Sequence, residues 1–470
     1  MNVYLKMEIK ARELEGRLLL GMVAAERGHT VLLGDLRPLI QATQLPPGLY
    51  HETALYPSAG ATRFRRSLVD AGWVFTSQDE EHGLLEPTYT NYARRRYSRE
   101  NLEAAHAAFT WGPHDSAALR EEYPDLDEKI TMVGSPRIDL SRPEFAPLYT
   151  PLSRPGIDPT RPYVLFANNF TRVIGTNRID TFVRHMRNAN YFDGDDDAFE
   201  FLQYEEASAQ MDFLPHVIRS VRLLARRHPD MTIVVRPHPQ EDEGSWHDLL
   251  GRIPNLVVSK TGSIGRWVRN AAAVVQSGDT TAFEATVAGT PVVAFSPYGE
   301  DHAWGHRYAN RLGYRALSAH EVVEIVTSLR DGELDNETRR ARDLAVLGER
   351  ITALDGPFAA DRIVDTWSAM APDSMPQFRA QEFRARTWRP RLELESRRAV
   401  RPLNRRARDI LKRRRGDAGR PYLTAQKFPP ITQSELDELV MGYRSSLDRF
   451  MDIEVRRLGP RLVTIEPSAS

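Results

Sequence analysis

The 470-residue chain contains no cysteine. That excludes disulfides, thiolate catalysis, cysteine-ligated zinc and iron–sulfur clusters. Net charge is also lacking: 63 Lys+Arg against 64 Asp+Glu leave -1 at pH 7. No global field therefore draws the chain to nucleic acid or acidic membranes, and any such affinity has to be local. Long apolar runs are missing too. Leu18 to Ala25, the best of them, falls well short of the ~18–20 residues of a spanning helix. Met1 to Glu8 has no apolar core of the signal-peptide kind. The expected location is cytoplasmic, with a peripheral place at the inner membrane face left open. There is no internal repeat, and Asp195-Asp196-Asp197 reads as a solvated loop, so no metal site is expected.

What is present is the composition of a folded protein, 41% hydrophobic and 27% charged. At roughly 150 residues per domain, the length calls for two or three domains. The opening reads as strand, helix, strand. Asn2 to Met7 alternates, and Leu14, Leu18, Leu19, Met22 and Val23 recur at helical spacing from about Arg12 to Arg27. Gly28 stops that helix and His29 to Gly34 is a buried strand. Such βαβ units build parallel sheets with helices on both faces. A second series starts at Tyr163 to Ala167 and runs through strands at Met231 to Val235, Leu256 to Val258, Ala273 to Val275 and Pro291 to Phe295. A helix is expected over Phe213 to Arg227, and the polar interval Thr171 to Gln210 reads as a mobile insertion. The fold class is α/β, with two Rossmann-like domains facing each other across a cleft and a basic C-terminal extension. The expected division is residues 1–142, a Pro-rich linker 143–162, a second domain 163–370, an Arg-rich extension 371–426, and a returning helix and strand over 427–470.

Ligands of open parallel sheets sit beyond the carboxyl ends of the strands, and four loops there carry unusual polar residues. Arg236-Pro-His238-Pro holds an imidazole between two backbone-restricting prolines; a phosphate partner and a structural turn are both open readings. Gln276-Ser277-Gly278-Asp279-Thr280-Thr281 leads into a helix carrying Glu284. Its hydroxyls and helix-start N–H groups suit an anion, although N-capping by Asp279 or Thr280 uses the same groups. Asn168 and Asn169 follow the first strand of the second domain and fit a base, a sugar or an ordinary turn. Glu8, Lys10, Arg12, Glu13 and Glu15 crowd the first strand-to-helix turn. That crowd reads either as a solvated helix start or as a general base with an anion-holding arginine.

Taken in order, these motifs resemble a family, the bacterial surface carbohydrate biosynthesis proteins, which are GT-B-like. The resemblance rests on Glu8-x-Lys10-x-Arg12-Glu13, Thr110-Trp-Gly112, Gly134-Ser-Pro-Arg137-Ile-Asp139, Asn168-Asn-Phe170, Arg236-Pro-His238-Pro239, Gln276 through Glu284, Gly289-x-Pro291 and Lys427-Phe-Pro429. The His-Pro and Ser/Thr motifs are also similar to those of Kdo transferases, bacterial sialyltransferases and teichoic-acid polymerases. The resemblance implies a glycosyltransferase of surface polysaccharide synthesis. Its donor would be a nucleotide sugar, for instance a CMP-activated acidic sugar, and its acceptor a glycan or a lipid-linked chain. It implies that His238, Ser277, Thr280 and Thr281 hold the donor phosphate and that Glu284 binds the ribose. Arg236, Gln276, Gly278, Asn168 and Asn169 complete the nucleotide side, and Glu8, Lys10, Arg12 and Arg137 line the acceptor side.

In an inverting, metal-independent reaction Glu13 or Glu15 would deprotonate the acceptor, with no cofactor beyond the donor itself. Two departures stand out: Glu15 occupies a position where the family would carry aspartate, and Asp279 puts a negative charge in the phosphate loop. Polyol-phosphate transfer, non-hydrolysing sugar-nucleotide epimerisation and a non-catalytic assembly scaffold remain as alternatives. The arginines of residues 376–420 suit either an anionic membrane or the chain's own acidic surface. They lack the aromatic interleaving of a nucleic-acid binder, so no nucleic-acid partner is expected.

Overall fold

The computed structural model describes residues 1–41, 45–80, 93, 96–149, 157–158, 160–174, 179–188, 197–299, 307–370, 378 and 428–468. The Arg-rich stretch 376–420, Phe378 aside, and most of the Asp193–Asp197 run therefore lie outside the described residues.

Strands β1 (Asn2–Lys6), β2 (Thr30–Gly34), β3 (Leu49–Glu52), β4 (Val74–Gln78), β5 (Ala107–Thr110) and β6 (Ile130–Met132) build a parallel sheet. Strands β7 (Tyr163–Ala167), β8 (Thr232–Arg236), β9 (Leu256–Val258), β10 (Ala273–Gln276), β11 (Val292–Phe295) and β12 (Tyr314–Ala316) build a second. The C-terminal pair β13 (Ile453–Gly459) and β14 (Leu462–Pro467) returns to the first sheet and joins it antiparallel beside β2. The first sheet has the order β13-β14-β2-β1-β3-β4-β5-β6 and the second β12-β11-β10-β7-β8-β9. Together they make the expected GT-B-like pair of Rossmann-type layers. The second order is the doubly wound one, with its direction reversing between β7 and β10.

Central strands read as unbroken apolar runs because both faces are covered; Val3, Tyr4, Leu5, Val164, Leu165 and Phe166 are all buried. The helices, in chain order, are α1 (Lys10–Glu26), α2 (Arg37–Gln41), α3 (Ala59–Asp70), α4 (Arg99–Ala104), α5 (Pro113–Glu122), α6 (Pro136–Asp139), α7 (Ile179–Asn188) and α8 (Asp197–Arg227). They continue with α9 (Glu243–Leu250), α10 (Ile264–Arg269), α11 (Thr281–Ala288), α12 (Ala319–Arg330), α13 (Asn336–Leu347), α14 (Ala359–Ala369) and α15 (Gln433–Leu447).

Three elements differ from expectation. The interval Thr171 to Gln210, expected as a polar insertion, is helical over much of its described part: it contains α7 and the first half of α8. The helix expected from Phe213 starts at Asp197, because the long periodic run absorbs Pro215 and buries Gln203, Ala209 and Gln210 ahead of it. At the C-terminus two strands, not one, follow the last helix.

The chain also crosses between layers more than a simple boundary at 370 conveys. Asp139 accepts hydrogen bonds from Ala359 N and Ala360 N, each at 3.0 Å, and so fixes the start of α14. Helix α14 then contributes Ile363, Val364 and Trp367 to the first domain's core beside α1. Gly134, at φ +96°, permits this crossing, because a Cβ there would lie 2.8 Å from the Thr352 carbonyl oxygen. The stretch expected as linker opens with a 3-10 helix, Pro143–Leu148, whose Phe145 meets Tyr443 of α15 edge-on.

Candidate functional site

The reversal between β7 and β10 sets the geometry of the second domain's loops. Register pairs Ala167 with Arg236 on one side and with Gln276 on the other. The loops after β8, β7 and β10 thus leave the sheet at one level. Strands lie ~4.8 Å apart, so the β8 and β10 exits stand roughly 10 Å apart. The tertiary fold brings Asn168, His238 and Ser277 to the same sheet edge, at the switch point where such sheets bind ligands.

Each loop is braced internally. Arg236 donates through Nη1 to the Thr261 carbonyl at 3.0 Å and through Nη2 to the Gly262 carbonyl, tying its loop to the one before α10. The His238 Nδ1 accepts from Gln240 N at 3.2 Å. In the neutral ring that assigns the proton to Nε2 and makes it a donor. Beneath lies Glu241, 1% exposed, which accepts from Phe170 N at 2.5 Å and from Trp246 Nε1 at 2.7 Å. Burial pushes its carboxyl up to about 7, against those hydrogen bonds. Glu241 joins the β7 and β8 loops and is a positioning residue. Nothing in the sequence singles it out, since one acid in a polar loop has no pattern.

In the β7 loop, Asn169 Oδ1 accepts from Thr171 N at 3.1 Å and Thr171 Oγ1 at 2.8 Å, forming a turn. Asn168 is buried, and its Oδ1 has no hydrogen-bond partner. In the β10 loop, Gln276 is consumed by structure: Oε1 accepts from Asp279 N at 2.9 Å and Nε2 donates to the Ala309 carbonyl at 3.2 Å. Asp279 Oδ1 accepts from Thr281 N at 3.0 Å and Thr281 Oγ1 at 2.8 Å, so its charge is turned onto the start of α11. Both Thr281 groups are thereby occupied. Ser277 differs: it is 5% exposed and its Oγ has no partner. Gly278 holds φ +76°, and a Cβ there would lie 2.4 Å from Arg307 Cδ. Arg307 thus packs on the loop after β10, a cation that sequence position alone does not link to it.

Between the sheets, Arg137 of α6 donates through Nε to Glu284 Oε1 at 2.7 Å and through Nη2 to Thr280 Oγ1 at 3.2 Å. The two side chains are 13% and 3% exposed. Burial raises the Glu284 carboxyl above its usual range, and Arg137 opposes that shift. Its Oε2 has no hydrogen-bond partner.

The first domain's cluster divides. Glu13 is 1% exposed and accepts from Glu8 N at 2.7 Å and from Arg12 Nη2 at 2.9 Å. It packs with Arg12, Arg17, Glu80 and Arg137 around a gap too tight to hold a water molecule. Burial raises its carboxyl, Arg12 lowers it and Glu80 raises it again. Glu15 lies two residues on, on a different side of α1. There it accepts from Tyr149 Oη at 2.9 Å, and burial raises its carboxyl too. Lys10 stands apart, donating to Glu435 at 2.6 Å and to the Pro430 carbonyl at 2.9 Å. Glu8 pairs with Lys6 at 2.5 Å. Arg17 and Glu80, 2.9 Å apart and buried, belong to the Glu13 cluster but fall outside the motifs that mark it in sequence.

No family model and no curated protein matches the chain. Among solved structures, it is similar to a UDP-GlcNAc 2-epimerase from Neisseria meningitidis bound to UDP-GlcNAc: 12% identity, 79% of this chain and 100% of that one, TM-score 0.48. A putative UDP-N-acetylglucosamine 2-epimerase from Listeria monocytogenes gives 12% identity, 80% and 99% coverage and TM-score 0.47. The wall teichoic acid polymerase TagF gives 11% identity, 78% and 88% coverage and TM-score 0.47.

Proposed function

We propose that this protein is a glycosyltransferase of surface-glycan synthesis that holds a nucleotide-activated sugar between its two sheets. One observation carries the reading. Two buried polar atoms without partners, Asn168 Oδ1 and Ser277 Oγ, stand with the His238 loop at the switch point of a doubly wound sheet. A hydroxyl and an amide oxygen left unpaired together at that edge fit a ligand that completes them. A nucleotide does so: its phosphate oxygens accept from Ser277 Oγ–H and His238 Nε2–H, and a hydroxyl or amino group of the same ligand donates to Asn168 Oδ1.

Glu284 then takes the ribose hydroxyls, releasing Arg137 toward the phosphates. Glu13 is the general base: burial raises its carboxyl above the usual range, and it packs beside Arg12 and Arg137 at the first strand-to-helix turn, a cluster that must open to admit the acceptor. With Glu13 deprotonating the acceptor for direct displacement the reaction is inverting, and fixed donors stabilise the leaving group in place of a metal or cofactor. The donor is an acidic sugar carried on CMP, and the acceptor is a glycan or lipid-linked chain met at the inner membrane face, where residues 376–420 supply positive charge.

Epimerisation of a sugar nucleotide is the second reading, because two buried carboxyls, Glu284 bonded to Arg137 and Glu13 packed in the same cluster as Arg137, also suit proton transfer at a sugar carbon. A panel of CMP, CDP and UDP sugars, assayed for binding and then for product with wild type and His238→Ala, separates the two. A transferred sugar supports the first reading and an isomerised nucleotide the second. If no nucleotide binds wild type, both are wrong.

A further inference from the structure

Helix α8 displays a face that the second domain leaves uncovered. Phe201, Leu202, Tyr204 and Met211 are 63%, 41%, 42% and 56% exposed, an unusual density of bare apolar side chains on one helix. Positions Phe201, Tyr204, Ser208, Met211, Pro215 and Ile218 follow one another by three and four residues, the spacing of a helix–helix seam. Met211, Pro215 and Ile218 line an open groove of about 660 Å³ together with Arg219, Arg222 and Arg226. Beside the seam runs a second row at intervals of seven: Glu205, Asp212, Arg219 and Arg226, all exposed. The first two are acidic and the last two basic.

That order has a consequence under two-fold symmetry. When two such helices lie antiparallel, flanking positions of the same kind meet across the seam. Glu205 of one copy then faces Arg226 of the other, and Asp212 faces Arg219. Both pairs centre between Pro215 and His216, so a single register satisfies four ion pairs. It also sets Pro215 against Ile218 twice at the middle and lays Met211 over the aliphatic stem of Arg222.

We infer that α8 is a self-complementary interface through which two copies of this chain pair antiparallel. The charge split decides the occupant. An anionic lipid surface would attract Arg219, Arg222 and Arg226 but repel the Glu205–Asp212 half of the same face, whereas a second copy matches both halves.

Sedimentation velocity of the full chain over a concentration series tests this. The wild type is expected to dimerise. Arg219→Glu with Arg226→Glu leaves only acids along the row, and Glu205→Arg with Asp212→Arg leaves only bases. Each double variant is expected to weaken association at least about tenfold, with circular dichroism unchanged. The fourfold exchange restores opposite charges in the same register and is expected to restore the dimer. A wild type that is monomeric throughout, a dimer indifferent to both reversals, or a fourfold exchange that fails to recover it overturns the proposal. So does a monomer that binds phosphatidylglycerol vesicles through Arg219 and Arg226, since that would assign the face to lipid.

Discussion

Arg137 Nε and Glu284 Oε1 lie 2.7 Å apart, joining the short helix after β6 to the helix that follows the β10 loop. The two helices follow strands of different sheets, and both side chains are largely buried. The pair therefore ties the two sheets together at the loop that follows β10.

Removing the cation should expose the cost of that link. Arg137→Ala leaves Glu284 buried and unpaired and is expected to destabilise by on the order of 3 kcal/mol near pH 8. The loss should be smaller near pH 5, because a protonated Glu284 no longer needs a guanidinium. Adding Glu284→Gln should recover part of the loss. Denaturation curves of both single variants and the double at the two pH values check the cycle; strictly additive effects would mean no coupling.

Ser277 and Thr281 look alike in sequence but should behave differently. Ser277→Ala removes the unpaired hydroxyl and is expected to weaken nucleotide binding about tenfold, the worth of one hydrogen bond to a charged group. Thr281→Val removes only the internal bond to Asp279, so it should lower the melting temperature more than the affinity. Calorimetric titration with CMP and UDP checks both, and equal losses of affinity would contradict the assignment.

The two first-domain carboxylates should separate by kinetics. Glu13→Gln is expected to reduce kcat by ~10²–10⁴ with nucleotide affinity nearly intact, as loss of a general base does. Glu15→Gln keeps the Tyr149 contact and should retain turnover within about tenfold. Steady-state rates of the two variants decide between them.

Glu241 supplies a pH signature. Its folded carboxyl is raised to about 7 from a starting value of 4.5, so the native state holds a proton that the unfolded chain has already lost. Stability attached to this group is full below the unfolded value and falls as pH rises, until it is gone above about 7. Glu241→Gln removes the titration, and the stability of wild type relative to this variant should fall by on the order of 3 kcal/mol between pH 4.5 and 7. Parallel melting curves across that range check it; a flat difference would show that Glu241 does not titrate there.

Much of the fold was legible because helical and strand periods are local. The run Leu14 to Val23 announces α1, and the apolar stretches at Tyr163, Met231 and Ala273 announce central strands. The sequence pattern shortens helix α8, because Pro215 sits inside it and a polar first half hides a period that only packing enforces. The motif loops were legible as loops, but their roles were not. Gln276 and Glu284 stand in one motif, yet one is consumed by bracing and the other pairs across domains.

By itself the sequence determined the alternation of strands and helices, the absence of thiol chemistry and the polar loops that end the strands. These follow from local patterning and composition. Tertiary structure alone decided that Asn168, His238 and Ser277 share one edge, that Arg137 reaches Glu284, and that Lys10 is drawn away to Glu435. Those are contacts over tens to hundreds of residues, set by strand order and burial, and no local pattern encodes which distant charge will lie within hydrogen-bonding distance.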